Sequence, residues 1–130
     1  MQMPVRKNKE KANRSLVVLW NNTKPLIKDF HNNYSYYVSF EKKGATAGNH
    51  YHNKKHEIIH LLVGECTVLL ENIKTKEKEK FTLSAQTHNC ISILPGIAHA
   101  VTANTDNAVI VVLANSPSTE DDEIAYMLKY

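Results

Sequence analysis

Apolar positions recur along this chain in short runs, mostly alternating or β-branched, and each run ends at turn-forming residues. "SLVVLW" at 15–20 stops at "NNTK", and "YSYYVSF" at 34–40 stops at "EKKG". "EIIHLLV" (57–63) meets "GECTVLLEN" (64–72) at Gly64, a junction that suits a tight hairpin. "EKFTLS" (79–84), "CISIL" (90–94), "AHAVTA" (98–103) and "AVIVVLA" (108–114) follow. Many short strands at regular spacing predict an all-β sandwich or barrel. The run Ala108–Ala114 is apolar throughout, the pattern of a strand covered on both faces. Only "TEDDEIAYMLKY" at the end predicts a short helix, with Thr119 as its N-cap.

Length and charge narrow this picture. At 130 residues the chain is sized for one domain. Sixteen Lys and Arg against thirteen Asp and Glu leave a net charge of +3, and much of the excess sits in "RKNKEKANR". We therefore expect residues 1–14 to be a flexible basic tail and 15–130 the folded domain. A nucleic-acid binder needs a basic stripe on the folded body, and none is evident. No apolar run approaches the ~20 residues of a membrane span, and the N-terminus has no apolar signal core. Cys66 and Cys90 are widely spaced. They read as two buried thiols in a reducing cytoplasm.

Four of the seven histidines crowd into "GNHYHNKKHEIIHLLVGE", residues 48–65. Side chains alternate along a strand, so His50 and His52 share a face and Tyr51 points away. Such an H-x-H pair is a natural two-toothed metal clamp. Glu57 lies an odd number of positions beyond His52, and the polar "NKKH" between them reads as a turn that resets direction. With Glu57 inward, Ile59, Leu61 and Val63 follow it, whereas His56 and His60 face the other way and are poor ligand candidates. His88 falls in the same packed-or-exposed class. A further ligand comes from "ILPGIAHAV", where a Pro-Gly turn precedes His99. Three imidazoles and one carboxylate (His50, His52, His99 and Glu57) suit zinc, manganese, iron, nickel or cobalt.

These residues resemble the cupins. The first cupin motif is matched as G-x5-H-x-H-x4-E-x6-G by Gly44, His50, His52, Glu57 and Gly64. The second is similar to "ILPGIAHAVTAN", with Pro95, Gly96, His99 and Asn104, although the asparagine comes one residue late and an upstream glycine is missing. The resemblance implies a single-domain antiparallel β-barrel of the double-stranded β-helix, or jelly-roll, type, with His50, His52, Glu57 and His99 holding a divalent transition metal. A narrower likeness joins "GNHYHNKKHE" to cupin domains of capsular-polysaccharide sugar epimerases. "YYV" and "VVLANSPSTEDDEIAYML" look like small ketoisomerases of nucleotide-linked deoxysugars. That likeness implies proton transfer on a keto-sugar in polysaccharide biosynthesis. It gives His50, His52 and Tyr37 catalytic roles, with the histidines in proton transfer and Tyr37 (Tyr36 next) lining the site as a hydrogen-bonding acid. Both groups usually carry arginine where this chain has Ala47, which removes a natural partner for a nucleotide phosphate.

The alternative within the same fold is a metal-dependent dioxygenase or a non-catalytic small-molecule-binding cupin. Barrel edges and the apolar positions Ile58 and Leu62, expected to be exposed, predict a homodimer.

Overall fold

Two antiparallel sheets face each other across one apolar core in the computed structural model, which describes residues 9–11, 14–84 and 89–129. In chain order its strands are β1 (Lys9–Lys11), β2 (Arg14–Leu16), β3 (Tyr34–Phe40), β4 (Thr46–Tyr51), β5 (Glu57–Val63) and β6 (Glu65–Asn72). Then come β7 (Lys78–Ser84), β8 (Cys90–Ile93), β9 (Ile97–Ala103), β10 (Ala108–Ala114) and β11 (Ile124–Ala125). The first sheet runs β3-β10-β5-β8 and the second β11-β4-β9-β6-β7. This is the cupin-type barrel expected from the motif.

Alternation explains the core. Val68, Leu70, Val101 and Ala103 from the second sheet meet Ile59, Leu61, Ile110 and Val112 from the first, all buried. Each of these Val, Leu and Ile side chains contributes about 1.5–3 kcal/mol on burial. β10 is central in its sheet, and its outward Leu113 is also buried, as its unbroken apolar run requires.

Several local expectations change. "SLVVLW" does not form one strand; only its start belongs to β2, which pairs with β1 as a separate two-stranded ribbon. Leu19 and Trp20 instead pack with Ile27 and Phe30 over the outer face of the first sheet, where Ile58, Cys90 and Leu113 lie. Ile58 is therefore buried, not exposed, and gives no support to a dimer surface. Gly64 does not close a hairpin. It turns the chain from β5 in one sheet to β6 in the other, at φ +83°, passing tightly against Ala108. Val63 leaves the core face at a register shift between β5 and β10 and is exposed. The C-terminal segment forms one 3₁₀ turn, Glu120–Asp122, and then the edge strand β11; Thr119 makes no side-chain cap. His88 lies outside the described residues.

Candidate active site

β4 reaches His50 through a bulge. Gly48 pairs with Ala100 and His50 with His99, so Asn49 is the extra residue, in a left-handed conformation with φ +59°. The bulge reverses the alternation, which lets Ala47 and His50 line the same cavity although they are three positions apart. Gly48 is required here. A Cβ at this position would lie 2.5 Å from the His99 carbonyl oxygen, and its φ is +104°.

His52 follows the end of β4, Glu57 opens β5, and His99 sits on β9 beside His50. The three imidazoles converge, with ring centroids 4.7–5.6 Å apart. Glu57 Oε1 lies 3.4 Å from His52 Nε2 and 3.3 Å from His99 Nε2. Backbone carbonyls fix the opposite edges of both rings: His52 Nδ1 is 2.6 Å from the Asp122 carbonyl, and His99 Nδ1 is 3.1 Å from that of Ile97. Only an N–H can face a carbonyl, so in each neutral ring the proton sits on Nδ1 and the Nε2 lone pair faces the carboxylate. Buried His52 Nε2 and Glu57 Oε1 make no conventional hydrogen bond. Acceptors facing acceptors call for a cation, met either by a proton on one ring or by a metal ion. Ring nitrogens of His50, His52 and His99 lie within 4.8 Å of one another, so the donor set fits a transition metal.

The other Glu57 oxygen is satisfied differently. Oε2 accepts from the Tyr36 hydroxyl at 3.1 Å and faces Lys55 Nζ at 3.5 Å. Lys55 is only 2% exposed; its ammonium donates to Ser118 Oγ at 2.6 Å and lies over the Tyr36 and Tyr34 rings. Burial opposes ionisation of Glu57, but His52, His99 and Lys55 outweigh it and hold the carboxyl well below its usual range. Burial, then the Glu57 charge, pushes the Tyr36 hydroxyl far above the ordinary tyrosine range. Burial also lowers His50 to about 4, helped by His99 and His52. For His52 burial works against protonation, yet Glu57 and the Asp122 carbonyl prevail and its pKa is raised.

These groups border a cavity of about 60 Å³. Tyr36, His50, Glu57 and His99 supply its polar wall, and Val38, Ile59, Val101 and Val112 much of its apolar remainder. His50, Glu57 and His99 line it, while His52, which faces Glu57 Oε1, does not. Tyr37 is 70% exposed on the outer face, so the wall position belongs to Tyr36. The signal was in the strand: Tyr36, Val38 and Phe40 alternate with Tyr37 and Ser39. His56 and His60 lie away from the cavity, His56 bonding Ser92 Oγ at 2.8 Å. Sequence reasoning missed Lys55, Asp122 and Glu123, whose carboxylate is 3.4 Å from His50 Nδ1. Buried Asp122 is held below its ordinary pKa, because three backbone N–H groups outweigh the opposing effect of burial.

The barrel and its inward histidine cluster define a cupin. Over residues 26–123 the chain matches the family described as polysaccharide biosynthesis C-terminal domain, and it belongs to that family. Among solved structures it is similar to QdtA, a sugar 3,4-ketoisomerase from Thermoanaerobacterium thermosaccharolyticum in complex with TDP. That match has a TM-score of 0.77 and 23% identity, covering 93% of this chain and 84% of that one. The WlaRB TDP-quinovose 3,4-ketoisomerase from Campylobacter jejuni matches with TM-score 0.76 and 20% identity, over 92% and 87% of the two chains. A dTDP-4-dehydrorhamnose 3,5-epimerase from Bacillus anthracis, with TDP and PPi bound, reaches TM-score 0.79 at 11% identity, over 92% and 74%. At these identities the likeness fixes the fold. No curated protein matches by sequence.

Proposed function

We propose that this protein is an isomerase or epimerase that transfers a proton on a keto-sugar carried by a nucleotide, in polysaccharide biosynthesis. One observation carries the proposal: His50, part-exposed and neutral, shares a small apolar cavity with the Tyr36 hydroxyl and the ionised Glu57. The family and the activities of the structural neighbours support the same substrate class.

In this reading His50 takes a proton from the carbon beside the ketone. The C–H electron pair becomes a C=C bond, and the carbonyl oxygen takes the charge as an enolate. Tyr36 is placed to hydrogen-bond that oxygen. The imidazolium then returns the proton to the neighbouring carbon on the same face, which moves the ketone; inversion of the first carbon instead requires a second acid to deliver a proton from the opposite face while His50 keeps the one it took. Moving the ketone also shifts one hydroxyl proton between adjacent oxygens; no oxidant is consumed. His52 faces Glu57 Oε1 and orients it. The cavity admits an edge of the sugar ring, so the nucleotide lies outside its mouth.

A second reading is favoured by the converging lone pairs of His52, His99 and Glu57. Here His52, His99, Glu57 and His50 hold one divalent transition ion (zinc, manganese, iron, nickel or cobalt). Such an ion would supply Lewis acidity towards a carbonyl oxygen or redox chemistry with O2. All four residues are then ligands, and the protein is a metal-dependent dioxygenase or a binding cupin. Incubation with a nucleotide-linked 4-keto-6-deoxysugar in deuterated water, before and after chelation, separates the two. Deuterium at carbon in chelated protein supports His50 as base. O2 consumption without exchange, or neither, supports the second reading.

We also propose a homodimer in the cytoplasm. Tyr37, Leu62 and Val63 leave apolar surface on the outside of the first sheet. Cys66 and Cys90 are buried and not joined in a disulfide, which suits a reducing compartment. No helix among the described residues is long and apolar enough to cross a membrane.

A further inference from the structure

One residue far along the chain holds the turn between the two halves of the histidine motif. Asp122 Oδ1 accepts the backbone N–H of Asn53 at 2.8 Å and of Lys54 at 3.1 Å, and Oδ2 accepts that of Lys55 at 3.1 Å. Its own carbonyl accepts His52 Nδ1–H at 2.6 Å. Four consecutive residues, 52 to 55, thus hang on one buried side chain and its peptide.

The attachment is directional. The carboxylate fixes the turn that follows His52, and the carbonyl fixes which nitrogen of His52 bears the proton. From the same turn the Lys55 side chain reaches Glu57 Oε2, while His52 Nε2 faces Glu57 Oε1. Asp122 therefore governs both oxygens of Glu57 without touching either. The segment bearing it is itself fixed: Ile124 and Ala125 pair with Tyr51 and His50, and Tyr126 N–H donates to the Asn49 carbonyl at 2.9 Å.

We propose that Asp122 is a positioning residue, which sets the Nδ1–H tautomer of His52 and thereby presents the Nε2 lone pair to Glu57 and to any cation held there. His99 supplies an internal control, because its tautomer depends on the Ile97 carbonyl and not on Asp122.

The test reads imidazole nitrogen shifts and amide exchange by NMR, in mildly alkaline buffer without metal or substrate. In the wild type both His52 and His99 should show Nδ1–H. Asp122→Ala should return His52 to a tautomer mixture, leave His99 unchanged, and speed exchange of the Asn53, Lys54 and Lys55 amides by about tenfold. Asp122→Asn keeps one oxygen for Asn53 and Lys54 and should preserve the His52 tautomer with faster exchange at Lys55 alone. It also serves if the alanine variant does not fold. Affinity for added Co²⁺ should fall by about 10–100-fold in the alanine variant. A wild-type His52 protonated on Nε2, or a His52 tautomer unmoved in folded Asp122→Ala, overturns the proposal. These spectra need no substrate, so an inactive wild type would count against the keto-sugar reading and not against this one.

Discussion

His52 Nε2 and Glu57 Oε1 face each other at 3.4 Å inside the barrel, both buried and neither in a conventional hydrogen bond. The ring has no freedom to turn away, because its other nitrogen is 2.6 Å from the Asp122 carbonyl. An unsatisfied buried pair of this kind costs about 1–3 kcal/mol per group unless a cation joins it. The choice of cation, a proton or a metal ion, is the chemical question at this site.

Metal content answers part of it. Under the metal-binding reading the purified protein takes up one divalent transition ion per chain, and His52→Ala loses most of it. His60→Gln should keep its metal, because His60 lies outside the cavity-facing cluster. If the ion is zinc, its nitrogen ligands should lie near ~2.0–2.1 Å by X-ray absorption. Acid should release it below a pH of about 6.5, since a protonated imidazole cannot ligate. Equal metal loss in the two variants would remove the assignment of faces along β5.

Tyr36 and Tyr37 make opposite predictions although they are adjacent. Tyr36 donates to Glu57 Oε2 at 3.1 Å from the cavity wall, whereas Tyr37 points into solvent. Tyr36→Phe should lower kcat by ~10²–10⁴-fold with folding intact. Tyr37→Phe should be nearly silent in the same assay. A silent Tyr36→Phe would take the hydroxyl out of the chemistry and favour the metal-binding reading.

The barrel and its cluster were legible because they rest on local spacing. H-x-H, Glu57 and His99 each follow from strand alternation or from a motif, and the fold places them together. Three features were less visible. The bulge at Asn49 cannot be deduced from alternation, since it breaks it. Gly64 looks like a hairpin glycine until the strands are known to belong to different sheets. Asp122, Ser118 and Glu123 reach the site from an acidic stretch whose pattern suggests a helix, and contacts across more than sixty positions leave no local trace. Tyr36 is different, because the alternation with Val38 and Phe40 already marked it as inward.

Association should follow the surface that remains. With Ile58 covered by Trp20 and Phe30, the apolar exposure near β5 falls on Leu62 and Val63, 47% and 54% exposed. We expect a dimer by light scattering, and the double variant Leu62→Lys with Val63→Lys to be monomeric with its barrel intact. A monodisperse wild-type monomer at working concentration would rule out the dimer.

Gly48 should be intolerant of the smallest side chain. A Cβ there would meet the His99 carbonyl oxygen at 2.5 Å and Ala100 Cα at 3.0 Å. Gly44 shares a positive φ, but a Cβ there meets nothing within 4 Å. Backbone strain alone costs each alanine variant roughly 1–3 kcal/mol. Gly48→Ala should lose more than Gly44→Ala in thermal melts, and it should also disturb the metal site by pushing β4 from β9. Equal melting temperatures would mean that the strands relax freely at the bulge.

Acid should destabilise the metal-free protein in two stages, through different groups. His50 is buried neutral, with its pKa lowered from 6.5 to about 4. A depressed pKa means that the unfolded chain binds the proton more readily. The stability it confers is therefore complete above about 6.5 and is lost as the pH falls towards 4. His50→Gln should flatten this limb by about 1–3 kcal/mol, or several degrees in Tm. Glu57 and Asp122, also depressed, act at lower pH, where their carboxylates protonate below the ordinary acid range. His52 runs the other way: its pKa is raised, so its contribution is present below 6.5 and fades as the pH rises through its folded value. Thermal melts of wild type and His50→Gln between neutral pH and about 4, with chelator present, measure the first stage directly. If the two proteins lose stability in parallel, His50 is not held neutral in the fold, and its role as a poised base fails with it.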